Sequence, residues 1–311
     1  MQTNVFLMLS GKIMSGIKNK VELSIFLFLN PEFHCMQPLR LSLIQTDLHW
    51  ENPDANRSML EQKIRNIKQP GHIVFLPEMF TSGFSMQPEL IAEENEGPTF
   101  QWMKNLAAEK RIILCGSLAV KENNKENSSI TPQYFNRLFW MLPNGHYGTY
   151  NKRHLFAYAG EDKYYTAGNR RLITSVNGWR LNLQICYDLR FPVWARQSPS
   201  PKDRTAGKTE YDVLVYLANW PERRIQAWRS LLIARAIENQ AYVIGVNRTG
   251  NDGNGIYHSG NSMVVDPLGA VCYEMKNEEE VFTTELSYEH LQDARTRLPF
   301  LKDGDGFSLF A

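Results

Sequence analysis

The stretch LNLQICYDLRFP, residues 181–192, passes from an apolar run through a polar turn to a helix start. LNLQI has the length and apolar weight of a buried strand, and it ends at Cys186. Asp188 and Arg190 follow at once, and Pro192 suits the first position of a helix, where its missing N–H has no partner to lose. A strand that hands a side chain into a sharp turn before a helix belongs to layered α/β folds. Such a turn exposes the sulfur, aims the backbone N–H of Tyr187 at an oxyanion position and brings helix-end amides near a thiolate.

The same pattern repeats outward in both directions. HIVFLPE (72–78) is an apolar run that delivers Glu78 just after Pro77, and DVLVYLAN (212–219) delivers Asn219 ahead of Trp220. LRLSLIQT (39–46), IILCGSLAV (112–120) and YFNRLFWML (134–142) read as further strands, the last turning back through PNGH. Helical spacing marks DANRSMLEQKIRNI (54–67), FQWMKNLAAEKR (100–111) and PERRIQAWRSLLIARAIEN (221–239). AYVIGVNR, NSMVVDP and EEVFTTELS give a strand-rich final third. KENNKENSSI (121–130) and SPSPKDRTAGKTE (198–210) read as surface loops, and no linker divides the chain after residue 38. Reactive side chains in α/β folds gather at the carboxyl ends of strands, which is where Glu78, Cys186 and Asn219 fall.

Composition narrows the partners. The chain has 311 residues, 43% of them hydrophobic and 12% aromatic, enough for a sizeable core. Its net charge of +1 gives no broad attraction to nucleic acid or anionic lipid, so a small molecule is the expected partner. Cys35, Cys115, Cys186 and Cys272 show no CxxC pairing and no histidine cluster, so neither a zinc site nor a disulfide framework is expected, and a reducing cytoplasm fits. No glycine-rich phosphate loop stands in the sequence, and no cofactor is expected. VELSIFLFL (21–29), behind Lys12, Lys18 and Lys20, resembles a signal peptide superficially, but it contains Glu22, lacks small residues at a cleavage site and is too short to span a bilayer. Residues 1–35 read instead as an upstream extension before Met36. The expected division is an extension over 1–38 and a single domain over 39–311.

Each candidate alone has an ordinary reading. A cysteine ending an apolar strand is more often a small buried hydrophobe than a nucleophile. Glu78, placed beyond a core strand, must share its proton or its charge with a neighbour, which a salt-bridged loop glutamate also does. Lys152, next to Arg153 and His154, has the setting of a solvated surface charge.

Three segments together change the weighing. PEMFTSGF (77–84), NKRHLF (151–156) and CYDLRFP (186–192) resemble the nitrilase superfamily, in that order along the chain. ANWPERR (218–224), ARAIENQAYV (234–243) and NRTGNDGNG (247–255) extend the likeness to about residues 39–290 and look like its omega-amidase branch. The resemblance implies an α/β fold built as a four-layer α-β-β-α sandwich, and a homodimer. It implies catalytic Glu78, Lys152 and Cys186, with Glu161 in FAYAGEDKYYTAG orienting the lysine. It further implies release of ammonia from the omega-amide of a 2-oxo dicarboxylate such as 2-oxoglutaramate; N-carbamoyl amine hydrolysis and nitrile hydrolysis are the alternatives. For the substrate pocket, Tyr187, Arg190, Phe80, Asn219 and Trp220 are the candidates. Arg190, Arg223 and Arg224 are suited to a bidentate carboxylate clamp, and Arg190 is equally suited to a partnership with Asp188.

Overall fold

Parallel strands covered on both faces read as continuous apolar runs, and the centre of this fold is built from them. The computed structural model of the chain describes residues 36–123 and 132–308. The expectations for residues 1–35, Cys35 included, and for most of the 121–130 loop lie outside the described residues.

The first sheet holds β1 (Leu39–Gln45), β2 (Ile73–Phe75), β3 (Glu93–Glu94), β4 (Ile113–Asn123), β5 (Pro132–Met141), β6 (Tyr147–Asn151) and β14 (Glu280–Leu286). Their order is β14-β1-β2-β4-β5-β6, with β3 paired to β4. The second sheet holds β7 (Leu172–Val176), β8 (Trp179–Ile185), β9 (Val213–Ala218), β10 (Tyr242–Asn247), β11 (Thr249–Asn251), β12 (Tyr257–Val265) and β13 (Val271–Lys276). Its order is β11-β12-β10-β9-β8-β7, with β13 paired to β12.

Helices cover the outer face of each sheet. On the first lie α1 (Pro53–Arg65) and α2 (Pro98–Lys110), which bury Leu60, Ile64, Phe100, Met103 and Leu106 against Val74, Leu76 and Leu114. Asn52 caps α1 by accepting from the Ala55 N–H at 3.1 Å, and Pro53 follows in the first turn, so the helix starts slightly before the stretch expected. On the second sheet lies α3 (Ile225–Asn239), whose Trp228 and Leu232 press onto β10. A Cβ on Gly245 would stand 2.5 Å from Trp228 and 2.6 Å from Leu232, so glycine is what permits this approach. The α4 helix (Tyr288–Arg297) packs Tyr288 edge-on to Trp179, ring centroids 5.2 Å apart. The result is the expected four-layer α-β-β-α sandwich.

Register places the reactive ends. In β8 and β9, which run parallel, Ile185 stands opposite Leu217, so Cys186 and Asn219 emerge from adjacent strand ends of the second sheet. On the first sheet, Glu78 follows β2 and Lys152 follows β6, where the Lys152 N–H donates to the Asn136 carbonyl at 3.0 Å. Each sheet therefore contributes part of one cluster.

Candidate active site

Cys186 opens a 3-10 turn over Cys186–Arg190, and Pro192 then starts the short helix Pro192–Ala195. The cysteine has φ +44°, a left-handed conformation that costs on the order of 1–3 kcal/mol outside glycine. Met79, directly after Glu78, has φ +45°. Its N–H is held by the Ser117 hydroxyl at 2.9 Å. Both the thiol and the carboxylate thus sit beside backbone bent sharply out of its strand, and surrounding bonds enforce the bend.

Four polar side chains meet here with almost no contact with water. Glu78, Lys152 and Glu161 are 0% exposed, and Cys186 is 9% exposed. Lys152 Nζ donates to Glu78 Oε1 at 2.9 Å and to Glu161 Oε1 and Oε2 at 3.0 and 2.9 Å. The Phe156 N–H donates to Glu161 Oε2 at 2.6 Å, and the Phe84 ring lies 4.9 Å from the ammonium. Asn136 Nδ2 donates to Glu78 Oε1 at 2.8 Å and reaches Glu161 Oε1 at 3.4 Å. The second oxygen of Glu78 accepts the Asn219 N–H at 2.8 Å.

These contacts fix the resting charges. Burial pulls the Lys152 ammonium down, but Glu161 and then Glu78 outweigh it and hold the group above the ordinary lysine value, so it stays protonated. Burial raises Glu161 against the pull of Lys152, and Glu78 raises it further. Cys186 is pushed well above a free thiol, first by burial and then by the Glu78 charge, with Lys152 opposing. It rests as S–H beside the Glu78 side chain.

A cavity of about 250 Å³ opens over Cys186. Lys152, Tyr187, Asn219 and Trp220 line it, as do Arg190, Arg223 and Arg224. None of the three guanidinium groups has a carboxylate partner among the described residues. The Arg190 guanidinium lies over Trp220 at 5.1 Å and that of Arg224 over Phe156 at 4.9 Å. Burial and then the neighbouring Arg223 pull Arg224 below the ordinary arginine value.

Two sequence expectations for the pocket change. Phe80 is not a wall of it: the left-handed Met79 turns Phe80 back under the helices, 5.9 Å from Trp102 and pressed on Gly116, and Phe84 takes the place at the cavity. Arg190 is not the partner of Asp188, which is bound by Tyr150 and His154 instead. Sequence reasoning passed over Asn136, Phe84, Phe156 and His258, the last also lining the cavity. A polar residue amid the apolar letters of YFNRLFWML was the available signal for Asn136.

The model of the carbon-nitrogen hydrolase family matches residues 40–296. The chain belongs to that family. The hydrolase is 39% identical over 278 residues to the omega-amidase YafV of Yersinia enterocolitica, covering 88% of its own length and 100% of that protein. It is 31% identical over 266 residues to the 2-oxoglutaramate amidase of Bacillus subtilis strain 168, covering 85% and 96%. Its fold matches XC1258 of Xanthomonas campestris, a CN-hydrolase superfamily protein, with a TM-score of 0.82 at 40% identity over 88% of this chain and 100% of that one. The hydrolase is an enzyme acting on carbon–nitrogen bonds of the amide type. No helix among its described residues is long and apolar enough to cross a membrane.

Proposed function

We propose that this hydrolase releases ammonia from the omega-amide of a small 2-oxo dicarboxylate monoamide, of the 2-oxoglutaramate or 2-oxosuccinamate type, through a thioester on Cys186. The observation that carries the reading is the placement of the thiol at the floor of the cavity, with the Lys152 ammonium and the Glu78 carboxylate beside it. A carboxamide is a poor electrophile with a poor leaving group, so its hydrolysis needs a nucleophile, an oxyanion donor and a proton source. Glu78 takes the Cys186 proton, and the thiolate attacks the amide carbon. Lys152 and the Tyr187 N–H hold the oxyanion, a service typically worth about 3–4 kcal/mol for one donor. Glu78 then gives its proton to the departing ammonia and activates the water that hydrolyses the thioester. Glu161 keeps Lys152 charged and aimed.

The substrate class rests on the cavity wall and on the relatives. Three arginines around a cavity of this size, none with a carboxylate partner among the described residues, favour an anionic small molecule, and two relatives bear the names omega-amidase and 2-oxoglutaramate amidase. Ammonia release is to be measured with 2-oxoglutaramate, 2-oxosuccinamate, glutamine, an N-carbamoyl amino acid and a nitrile. The 2-oxo acid amides should turn over with the highest kcat/KM. Preferred turnover of the carbamoyl compound or the nitrile overturns the assignment of substrate.

A further inference from the structure

Asp188 is fully buried, two residues after the thiol, and both of its oxygens are engaged. Oδ1 accepts the His154 backbone N–H at 2.9 Å and lies 2.8 Å from His154 Nδ1. Oδ2 accepts the Tyr150 hydroxyl at 2.7 Å and the Ile185 N–H at 3.0 Å. Tyr150 and His154 stand two residues before and two residues after Lys152. Ile185 stands immediately before Cys186. Every bond the carboxylate accepts therefore goes to a residue flanking one of the two reactive side chains.

The two flanked segments belong to different sheets. Lys152 follows β6 of the first and Cys186 follows β8 of the second, so no strand ladder sets the distance between ammonium and sulfur. The same two segments meet twice more: the Tyr150 oxygen accepts Trp194 Nε1 at 3.0 Å, and the His154 ring stacks on Phe191 at 3.7 Å between centroids. A buried carboxylate is a costly way to join two loops if joining is all that is required, since an apolar replacement is often neutral or stabilising. We infer that Asp188 is a positioning residue, a clamp between the sheets that sets where the Lys152 ammonium stands relative to the Cys186 thiol. The inference rests on the proposed roles of those two residues.

The test separates position from folding. Amide hydrolysis needs the sulfur and the oxyanion donor together, whereas displacement of iodide from iodoacetamide by the Cys186 thiolate forms no oxyanion. In Asp188→Asn an N–H₂ group must face donors, and kcat should fall about a hundredfold, with KM within about threefold of the parent, as expected for a displacement of the order of 1 Å. Iodoacetamide should still label the Cys186 peptide, followed by mass spectrometry, with a far smaller loss of rate than turnover shows, since the thiolate needs Lys152 only as a nearby charge. Tyr150→Phe removes one hydroxyl and should lower kcat about tenfold with labelling again retained; it decides the matter if Asp188→Asn does not fold. Parental kcat in Tyr150→Phe, or a parallel loss of labelling and turnover in the folded variants, overturns the clamp. Cys186→Ala, assayed alongside, distinguishes the two failures: activity there ends the nucleophile reading itself, whereas an inactive Cys186→Ala with fully active clamp variants ends only this inference.

Discussion

Asn219 grips Glu78 from the opposite sheet in two places: its backbone N–H donates to Glu78 Oε2 at 2.8 Å, and its side-chain amide donates to the Glu78 carbonyl at 2.5 Å. The backbone and the carboxylate of the proposed base are thus both oriented by the end of β9. Replacing the side chain leaves the first bond and removes the second. Asn219→Ala should lower kcat roughly tenfold, about the worth of one hydrogen bond to a group that must be aimed. Steady-state ammonia release checks this, and an unchanged kcat would show that Glu78 needs no such anchor.

Cys186→Ala should abolish turnover while the fold survives. Alanine bears the same left-handed backbone penalty as cysteine, so nothing new is strained, and the rate loss should be on the order of a millionfold, as for other covalent nucleophiles. Thermal melting and a long-incubation ammonia assay on one preparation test both halves.

Lys152→Ala should be nearly inactive and, unlike Cys186→Ala, unstable. It strands two fully buried carboxylates, a loss typically of about 3–5 kcal/mol. A stranded carboxylate has a folded-state pKa above its unfolded value, so the folded form binds more protons and the variant should gain stability as the pH falls. Urea unfolding at neutral and mildly acidic pH reads out the sign. Glu78→Gln should be equally inactive without that pH response.

Arg224→Gln should raise KM for a 2-oxo acid amide about tenfold to a hundredfold, the usual worth of a charge-assisted hydrogen bond. Turnover of an uncharged aliphatic amide should be unaffected by it. Equal losses on both substrates would mean that the guanidinium packs on Phe156 without meeting a carboxylate.

His258 supplies a pH effect on stability. Burial and then Arg248 push it down from 6.5 to about 4, so the unfolded chain takes up a proton that the folded one refuses. Its contribution is complete above pH 6.5 and is lost as the pH falls toward 4, a change on the order of 3 kcal/mol. Denaturant midpoints between those limits should fall less steeply in His258→Gln, which removes the titrating ring.

Three of the residues legible in the sequence share one property: each is a polar side chain at the end of an apolar strand. Glu78, Cys186 and Asn219 stand out because strand burial makes a polar terminus conspicuous. Lys152 follows the polar end of an edge strand and is recognisable only through its neighbours in NKRHLF. Asn136 stayed hidden because a single polar residue inside a strand usually faces outward, and its use becomes visible only when Glu78 and Glu161 converge on its amide. The exchange of Phe80 for Phe84 turns on a positive φ at Met79, which no side chain there announces. Asp188 was legible as a polar residue after the thiol, yet Tyr150 and His154, which join it to the other sheet, lie 38 and 34 positions away along the chain, beyond any local pattern.

The pairing of β1 with β14 sets the order in which the enzyme can be completed. Leu39 stands opposite Leu286 and Gln45 opposite Glu280, so one edge of the opening strand waits for its neighbour through nearly the whole of synthesis. Contacts this distant along a chain form late, and an uncovered apolar strand edge invites pairing with the wrong molecule. A nascent chain halted before Glu280 would carry every residue of the proposed machinery and still lack the strand that pairs with that edge.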